Sequence, residues 1–468
     1  MIRQNINLAS ISSDIEGKKQ SKINTMLDNY FVKLERNRIR NKYYNAKNEF
    51  KDLNISTPVK LRHKLHFSLG WAQSAVDKLA ERIIFDDFVL AEGGESIKDD
   101  IQEIAYDNNF ENTISQATTS TLINSVAFFT ITNGDTGGGE PEVLVLPKSA
   151  LEATALWNYR TRTIECGLSI TDTDELGEIS QISAFFPDET LVISVNKDKT
   201  SVRQIKNSTN RALIEPLIYN QSLSRPFGTS RISRPVMSLM DSAVRTIIRG
   251  EISAEVYNAP MRFLLGTSNN AKDLMNKIRS EIGTIHGISR GPDGQVPQLQ
   301  QFDPVSFGPH NDQLKMWANL LSAEISVPVA ELGFPSDNPS SAEAVALQRE
   351  PIKLDANRTI KSFSASLKRI ITTAVMLKNA DTSVPQELKN CRPKFMPPFQ
   401  PSISSSGDAV SKLTTAIPWI ANTSLPLEMI GLDSAQINTL MSKKRQMDAS
   451  TALDGILGRQ MELGAETR

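Results

Sequence analysis

The stretch LKMWANLLSAEISVPVAELGFPSDNPSSAEAVALQREPIKLDANRTIKSFSASLKRIITTAVMLK, Leu314 to Lys378, decides how the rest of the chain is read. Leu314, Trp317, Leu320, Leu321 and Ile325 recur three and four residues apart, which is the spacing of one apolar helix face, so a helix is expected from Leu314 to Ser326. Pro328 biases its predecessor away from helical backbone and ends the pattern. An apolar turn, ValAlaGluLeuGlyPhe, then leads into ProSerAspAsnProSerSer, a run of turn formers. Ser340 and Glu343 have the spacing of a capping box, in which hydroxyl and carboxylate each satisfy a backbone amide at a helix start. The helix that follows should be long. Ile360, Phe363, Leu367, Ile370 and Ala374 form its apolar stripe, Arg358, Lys361 and Lys368 lie elsewhere, and Pro351 is expected to kink or restart it near its beginning. Two helices joined across a polar, capped loop aim that loop at something.

Working outward, the pattern is α+β, with strands clustered in one region and helices in the others. Lys22 to Tyr44 reads as a helix with Leu27, Phe31, Leu34 and Arg38 in register, and its basic run LysLeuGluArgAsnArgIleArg reads as a solvated face. A helix from Trp71 carries Val76, Leu79 and Ile83, and another spans Asn112 to Ser125. Two strand-like runs, PhePheThrIleThr and ValLeuValLeuPro, follow, joined by AsnGlyAspThrGlyGlyGly. That loop lacks the GlyLys(Ser/Thr) ending and the following helix of a phosphate-binding loop, so a hairpin is expected. Between Thr161 and Ile205, short β-rich runs alternate with turn residues, as in an antiparallel meander. Val236, Leu239, Met240, Ala243, Ile247 and Ile248 define a helix to about Tyr257, with Arg245, Arg249, Glu251 and Glu255 on its other faces. Ala259 to Pro309 is turn-rich. Beyond the proline-rich run from Cys391 to Pro401, helices are expected at Asp408 to Ile420, Leu427 to Ile430 and Asp433 to Leu457.

Composition narrows the function. A chain of 468 residues is long enough for more than one core. Its 52 Lys and Arg balance 53 acidic residues, so the net charge of −1 provides no bulk attraction to nucleic acid or to an anionic membrane. Cys166 and Cys391 cannot build a disulfide framework, and a reducing compartment fits them. No apolar run reaches the roughly 20 residues of a membrane span, and MIRQNINLASISSD lacks a signal peptide's apolar core. His63 and His66 could share a helix face as metal ligands, but neither they nor His286 and His310 have the partners of a site. The pairs Asp86/Asp87 and Asp99/Asp100 read as solvated loops, because adjacent side chains point apart and no third acid is patterned with them. There is no nucleophile elbow, dinucleotide fingerprint or HisGluXaaXaaHis. No catalytic residue, metal or cofactor is therefore expected.

Several segments share an order seen elsewhere. TrpAlaGlnSerAlaValAspLysLeuAlaGluArg (Trp71 to Arg82), SerArgProPheGlyThrSerArgIle (Ser224 to Ile232), TyrAsnAlaProMetArgPheLeuLeuGly (Tyr257 to Gly266) and the helix–loop–helix of Leu314 to Lys378 together resemble the portal proteins of tailed bacteriophages, in particular the long-chain, siphophage-type family. The resemblance implies a portal fold with a helical stem, an α/β clip, a β-rich wing, a long kinked tunnel helix and a helical C-terminal crown. Mapped onto this chain, the wing is 1–233 with a return at 379–404, stem helix 1 is 234–257, the clip 258–310, stem helix 2 311–328, the tunnel loop and long helix 329–378, and the crown 405–468.

The function implied is a ring of about twelve copies at one capsid vertex, formed by heterologous contacts that close. A terminase motor would drive double-stranded DNA through it, the DNA would leave the same way, and a head-tail adaptor would join it to the tail. Major capsid and scaffolding proteins would be further partners, no membrane would be involved, and the chain would pass from the host cytoplasm into the virion. A channel must hold DNA loosely, because each phosphate neutralised adds a salt-sensitive grip, and near-neutral charge suits that. Ser336, Asp337, Asn338, Ser340 and Ser341 would be the loop nearest the DNA, or else cap the next helix. Lys277, Arg279 and Arg290 in the clip would contact motor or adaptor, or else be solvated. Arg245 and Arg249 would face the channel or bridge to Glu251 and Glu255. The alternatives are another structural head-tail component, or a metal-dependent nuclease or hydrolase using the scattered acids.

Overall fold

The computed structural model describes residues 15–49, 67–90, 95–175, 177–195, 200–257, 262–265, 298–301, 307–335, 341–399 and 403–465, with backbone alone at 255–257, 262–265, 298–301, 342–343, 403–404 and 451–465. The chain forms two compact units, one from Met1–Tyr44, Ala75–Ile232 and Ala342–Arg468, the other from Asn45–Ser74 and Ser233–Ser341.

The first unit is built on the expected meander. β4 (Ala153–Asn158), β5 (Thr163–Thr173), β6 (Ile179–Phe185), β7 (Glu189–Val195) and β8 (Thr200–Lys206) form an antiparallel five-stranded sheet in chain order. Alternate residues share a face, so Leu168, Ala184 and Leu191 line up across three strands, and Ile170, Ile182 and Ile193 beside them. Helix α1 (Gly17–Tyr44) covers these residues with Ile23, Met26, Leu27, Tyr30 and Leu34, whose helical spacing makes the matching stripe. The Tyr30 hydroxyl donates to the Leu151 carbonyl at 2.7 Å, and burial lifts its pKa to about 12.

A second antiparallel sheet has the order β3 (Val143–Ser149), β2 (Val126–Asn133), β9 (Ile214–Ile218). The β2–β3 connection is the predicted hairpin, closed by a short 3-10 turn at Thr136–Gly138 in which the Asp135 carboxylate accepts from the Gly138 amide. Gly167 of β5 lets β9 come close: a Cβ there would lie 2.5 Å from Cγ2 of Ile214. Val126, Phe128, Ile214 and Ile218 then share a core with Ala153, Ala155 and Phe185.

Helices complete this unit. α4 (Phe110–Asn124) and the long α7 (Ala342–Lys378) both pack on the second sheet, and α3 (Glu95–Asp107) packs on α7. Near its C-terminus α7 is buried without a break from Ile370 to Met376. β1 (Phe85–Val89) pairs antiparallel with β12 (Arg392–Phe395), and a register shift between Phe85 and Asp87 lets Phe85 and Phe88 both bury despite their odd spacing. Helix α2 (Trp71–Ala80) precedes β1. The C-terminal part holds α8 (Ile403–Ala416), α9 (Leu425–Ile430) and α10 (Ser434–Ala465), with α8 packed on α9.

The second unit contains α5 (Arg234–Tyr257), α6 (Gly308–Ile325) and a two-stranded antiparallel pair, β10 (Arg262–Leu265) with β11 (Gln298–Gln301).

Some expectations need correction. Asp99 and Asp100 lie on α3, a helix that was not anticipated, and Asp100 accepts from the Lys378 ammonium at 2.8 Å. Asp86 lies on β1, where it pairs with Lys394 at 3.2 Å and accepts from the Ser434 hydroxyl at 2.6 Å. Asp86 and Asp100 are structural ties and not loop solvation, while Asp99 is exposed on the helix surface. The basic run of α1 is not wholly solvated: Asn37 within it is buried and donates to the Ala150 carbonyl at 3.2 Å, and Lys33 and Arg40 are half-buried. α6 starts six residues before Leu314, at Gly308, because Pro309 occupies the first turn, where its missing N–H costs nothing. α7 runs through Pro351 as one helix and does not restart there.

Candidate functional site

In the second unit α5 and α6 lie antiparallel, as three side-chain bonds show by their order along the chain. Ser233 Oγ meets Glu324 Oε1 at 2.9 Å, Trp317 Nε1 donates to Thr246 Oγ1 at 3.1 Å, and Ser253 Oγ lies 3.3 Å from His310 Nε2. Val236, Met240, Ala243, Val244 and Ile248 make the buried stripe of α5, and Ala318, Leu321 and Ile325 that of α6. The Trp317–Thr246 bond satisfies the indole N–H amid this apolar contact.

Of the cations singled out on α5, Arg245 is half-buried and donates from Nη2 to Ser242 Oγ at 2.8 Å, on its own helix, and it forms no bridge to Glu251. Arg249 is half-buried and pairs with no carboxylate among the described residues. Ser341 is exposed at the start of α7. Ser336, Asp337, Asn338 and Ser340 of the loop, Lys277, Arg279 and Arg290 of the clip, and His63, His66 and His286 lie outside the described residues. The same holds for the Ser340–Glu343 capping pair; α7 begins at Ala342, immediately after Ser341.

The segment Ser224–Ile232, at the end of the first unit's middle portion, is built around residues whose roles are physical. Gly228 has φ +68, and a Cβ on it would lie 1.9 Å from the Tyr219 carbonyl, which accepts from the Thr229 amide at 3.2 Å. Only glycine fits that closure. Ser230 Oγ donates to the Ile123 carbonyl at 2.5 Å, tying the segment to the end of α4. Arg231 is buried: its Nε donates to the Ala75 carbonyl, and its Nη1 reaches Tyr219 Oη at 3.0 Å and the Asp355 carboxylate of α7. Burial raises the Tyr219 pKa, aided by Asp355 and opposed by Arg231. Further along α7, Arg369 Nε pairs with Glu215 of β9 at 3.2 Å; burial pushes the Glu215 carboxyl upward and Arg369 pulls it back. These ties fix α7 to the strand sheet by charge as well as by packing. The segment was visible in the sequence, but the partners of Arg231 were not, since Asp355 is 124 residues away.

Chemistry of other kinds finds little support here. Both thiols are buried and free, and burial lifts Cys166 to about 12 and Cys391 to about 11, far from a reactive thiolate. Among the described residues no group of three or more His, Cys, Asp or Glu could hold a metal ion, and no helix is long and apolar enough to cross a membrane.

The chain is similar in sequence to known portal proteins. The family model for phage portal proteins of the SPP1 Gp6-like type matches residues 23–424. The portal protein of Mycobacterium phage L5 is 21% identical over 387 residues, covering 79% of this chain and 77% of its own, and that of Mycobacterium phage D29 is 21% identical over 379 residues with the same coverage. Among solved structures, a chain of the virion of a native gene transfer agent particle is 10% identical, with a TM-score of 0.39, over 77% of this chain and 89% of its own. A chain from the neck of the native particle, computed with C12 symmetry, is 9% identical with a TM-score of 0.41, over 82% and 92%. An α+β chain with a meander, an antiparallel helix pair and a long helix, matched over most of its length, belongs to the SPP1 Gp6-like phage portal family. It is a structural virion component, a portal protein that forms the DNA channel at a capsid vertex and joins head to tail.

Proposed function

We propose that about twelve copies close into a ring in which α5 and α6 form the stem around the channel and α7 is the tunnel helix. The observation that carries this reading is the antiparallel α5–α6 pair, locked at three levels by side-chain hydrogen bonds, with the long α7 following in sequence. A rigid helical pair is what a wall needs if the segments at its two ends are to be held in place. The remaining assignment keeps the wing at 1–233 and 379–404, the clip at 258–310 and the crown at 405–468. The clip cations Lys277, Arg279 and Arg290 serve the large terminase subunit and then the head-tail adaptor, while capsid and scaffolding proteins meet the outer surface. Assembly takes place in the host cytoplasm.

The loop from Phe334 to Ser341 is the part nearest the DNA. Ser336, Asp337, Asn338, Ser340 and Ser341 offer hydrogen bonds without a fixed cationic clamp, so a duplex slides past them with little salt-sensitive grip. Arg245, held by Ser242, and Arg249 supply limited positive potential along the stem. Deleting Ser336 to Asn338 tests the loop: ring formation should persist while DNA packaging or retention falls. Packaging at the normal level by the deletion variant would remove the loop from the mechanism.

A further inference from the structure

Helix α1 carries cations that no carboxylate answers among the described residues. Lys33, Arg36 and Arg40 lie three and four residues apart and so share a helix face. Arg225, in the loop after β9, stands near enough to Arg36 to repel it. Among the described residues none of the four meets a carboxylate. Lys33 Nζ sits 5.4 Å from the centre of the Phe227 ring, Arg40 Nη1 reaches only the Asn124 carbonyl at 3.4 Å, and the buried Nε of Arg40 has no partner. Burial, with Arg36 adding repulsion, pushes Arg40 down to about 10 and lowers Lys33; burial and Arg225 lower Arg36. Such a concentration of like charge destabilises the lone chain, and an arriving anion relieves it.

The same chain presents a complementary surface on α3. Asp99 and Asp107, with Glu111 at the start of α4, are exposed and meet no cation among the described residues. Beside them Tyr106 is 86% exposed, although tyrosine is a residue that interfaces favour and solvated faces do not need. A guanidinium can both pair with such carboxylates and stack on such a ring. We propose that, in the ring, the cationic face of α1 and Arg225 receives the acidic, tyrosine-bearing face of α3 from the next copy of this chain. A ring closes through heterologous contacts, so one surface must meet a different one, and these two differ in the required way. DNA phosphates would also answer the cations, but they would leave the α3 face without a role. The inference rests on the ring proposed above.

Charge reversal tests it, with exposed residues chosen so that folding is spared. Arg36→Glu with Arg225→Glu, Asp99→Lys with Asp107→Lys, and all four changes together would be compared with the unaltered chain by native mass spectrometry across a salt series, with circular dichroism as the check on folding. Each reversed pair should lower the ring fraction at low salt by about tenfold or more, and the fourfold variant should recover it. Rings from the reversed pairs with unaltered salt dependence, or a fourfold variant no better than either pair, would overturn the proposal. Intact rings that lose DNA retention would overturn it too, assigning the cations to phosphate. If the unaltered chain forms no ring, the failure belongs to the ring reading and not to the pairing.

Discussion

The two ends of α7 behave as if they belonged to different proteins. From Phe363 to Met376 the helix is a core element, with Phe363, Leu367, Ile370, Ile371, Ala374 and Val375 all fully buried. Before Asp355 it is largely exposed apart from the buried Ile352, with Leu347 70% and Leu354 60% exposed and on the same side of the helix. Pro351 stands in that bare part, where the hydrogen bond it forfeits faces water and not the core. The contrast teaches that α7 completes the core of the strand sheets along its second half, while its first half displays Leu347 and Leu354 as apolar surface.

The largest effect should separate the two ends directly. Phe363→Ala should cost about 3–5 kcal/mol, read from the urea midpoint of the monomer, because it empties a packed site. Leu347→Ala, at the bare end, should change the same midpoint by less than about 0.5 kcal/mol. Equal losses at both positions would break the comparison.

Asp355 marks the border between the two ends, and removing it should have the next largest effect. Asp355→Ala leaves the buried Arg231 guanidinium without its carboxylate, and a loss of about 2–3 kcal/mol in chemical denaturation is expected. A neutral result would mean that packing alone holds the start of the buried segment.

Much of this contrast could be read in the sequence. The stripe Ile360, Phe363, Leu367, Ile370 and Ala374 identified the buried end by its period, and the alternation from Thr161 to Ile205 identified the meander. α3 escaped notice because only Ile101 and Ile104 bury along it, too short a stripe among acids to register as a period. The β1–β12 pairing escaped because the bulge at Phe85–Asp87 spoils the alternation and the partner strand lies some 300 residues on. Ion pairs such as Arg231–Asp355 and Lys378–Asp100 join residues that no local pattern connects. Ser336 to Ser341 reads in the sequence as a turn with cap chemistry, but a turn signal does not say what such a loop touches.

Acid should weaken the buried end through its carboxylate ties. Burial opposes ionisation of Asp100, but hydrogen bonds from Lys378 and Asn379 outweigh it and hold its pKa below the ordinary 3.8; on the meander, Lys19 does the same for Asp188. Depressed acids bind fewer protons folded than unfolded, so their contribution is complete above about pH 4 and is lost as pH falls through the folded values. Thermal melting between pH 7 and pH 3 should show a decline confined to the acid end, and Lys378→Met should reduce it. The smallest effect belongs to the bare end of α7, where Glu350→Gln removes an exposed pair with Lys353 and should cost less than about 0.5 kcal/mol.

The central claim is that copies of this chain close around a passage for DNA. Cryo-electron microscopy of the purified protein, alone and co-expressed with its scaffolding protein, tests that most directly. The account predicts closed rings of about twelve subunits with a central opening of roughly 20 Å or more, enough for a duplex. Assemblies without a central opening, or monomers under both conditions, would contradict it.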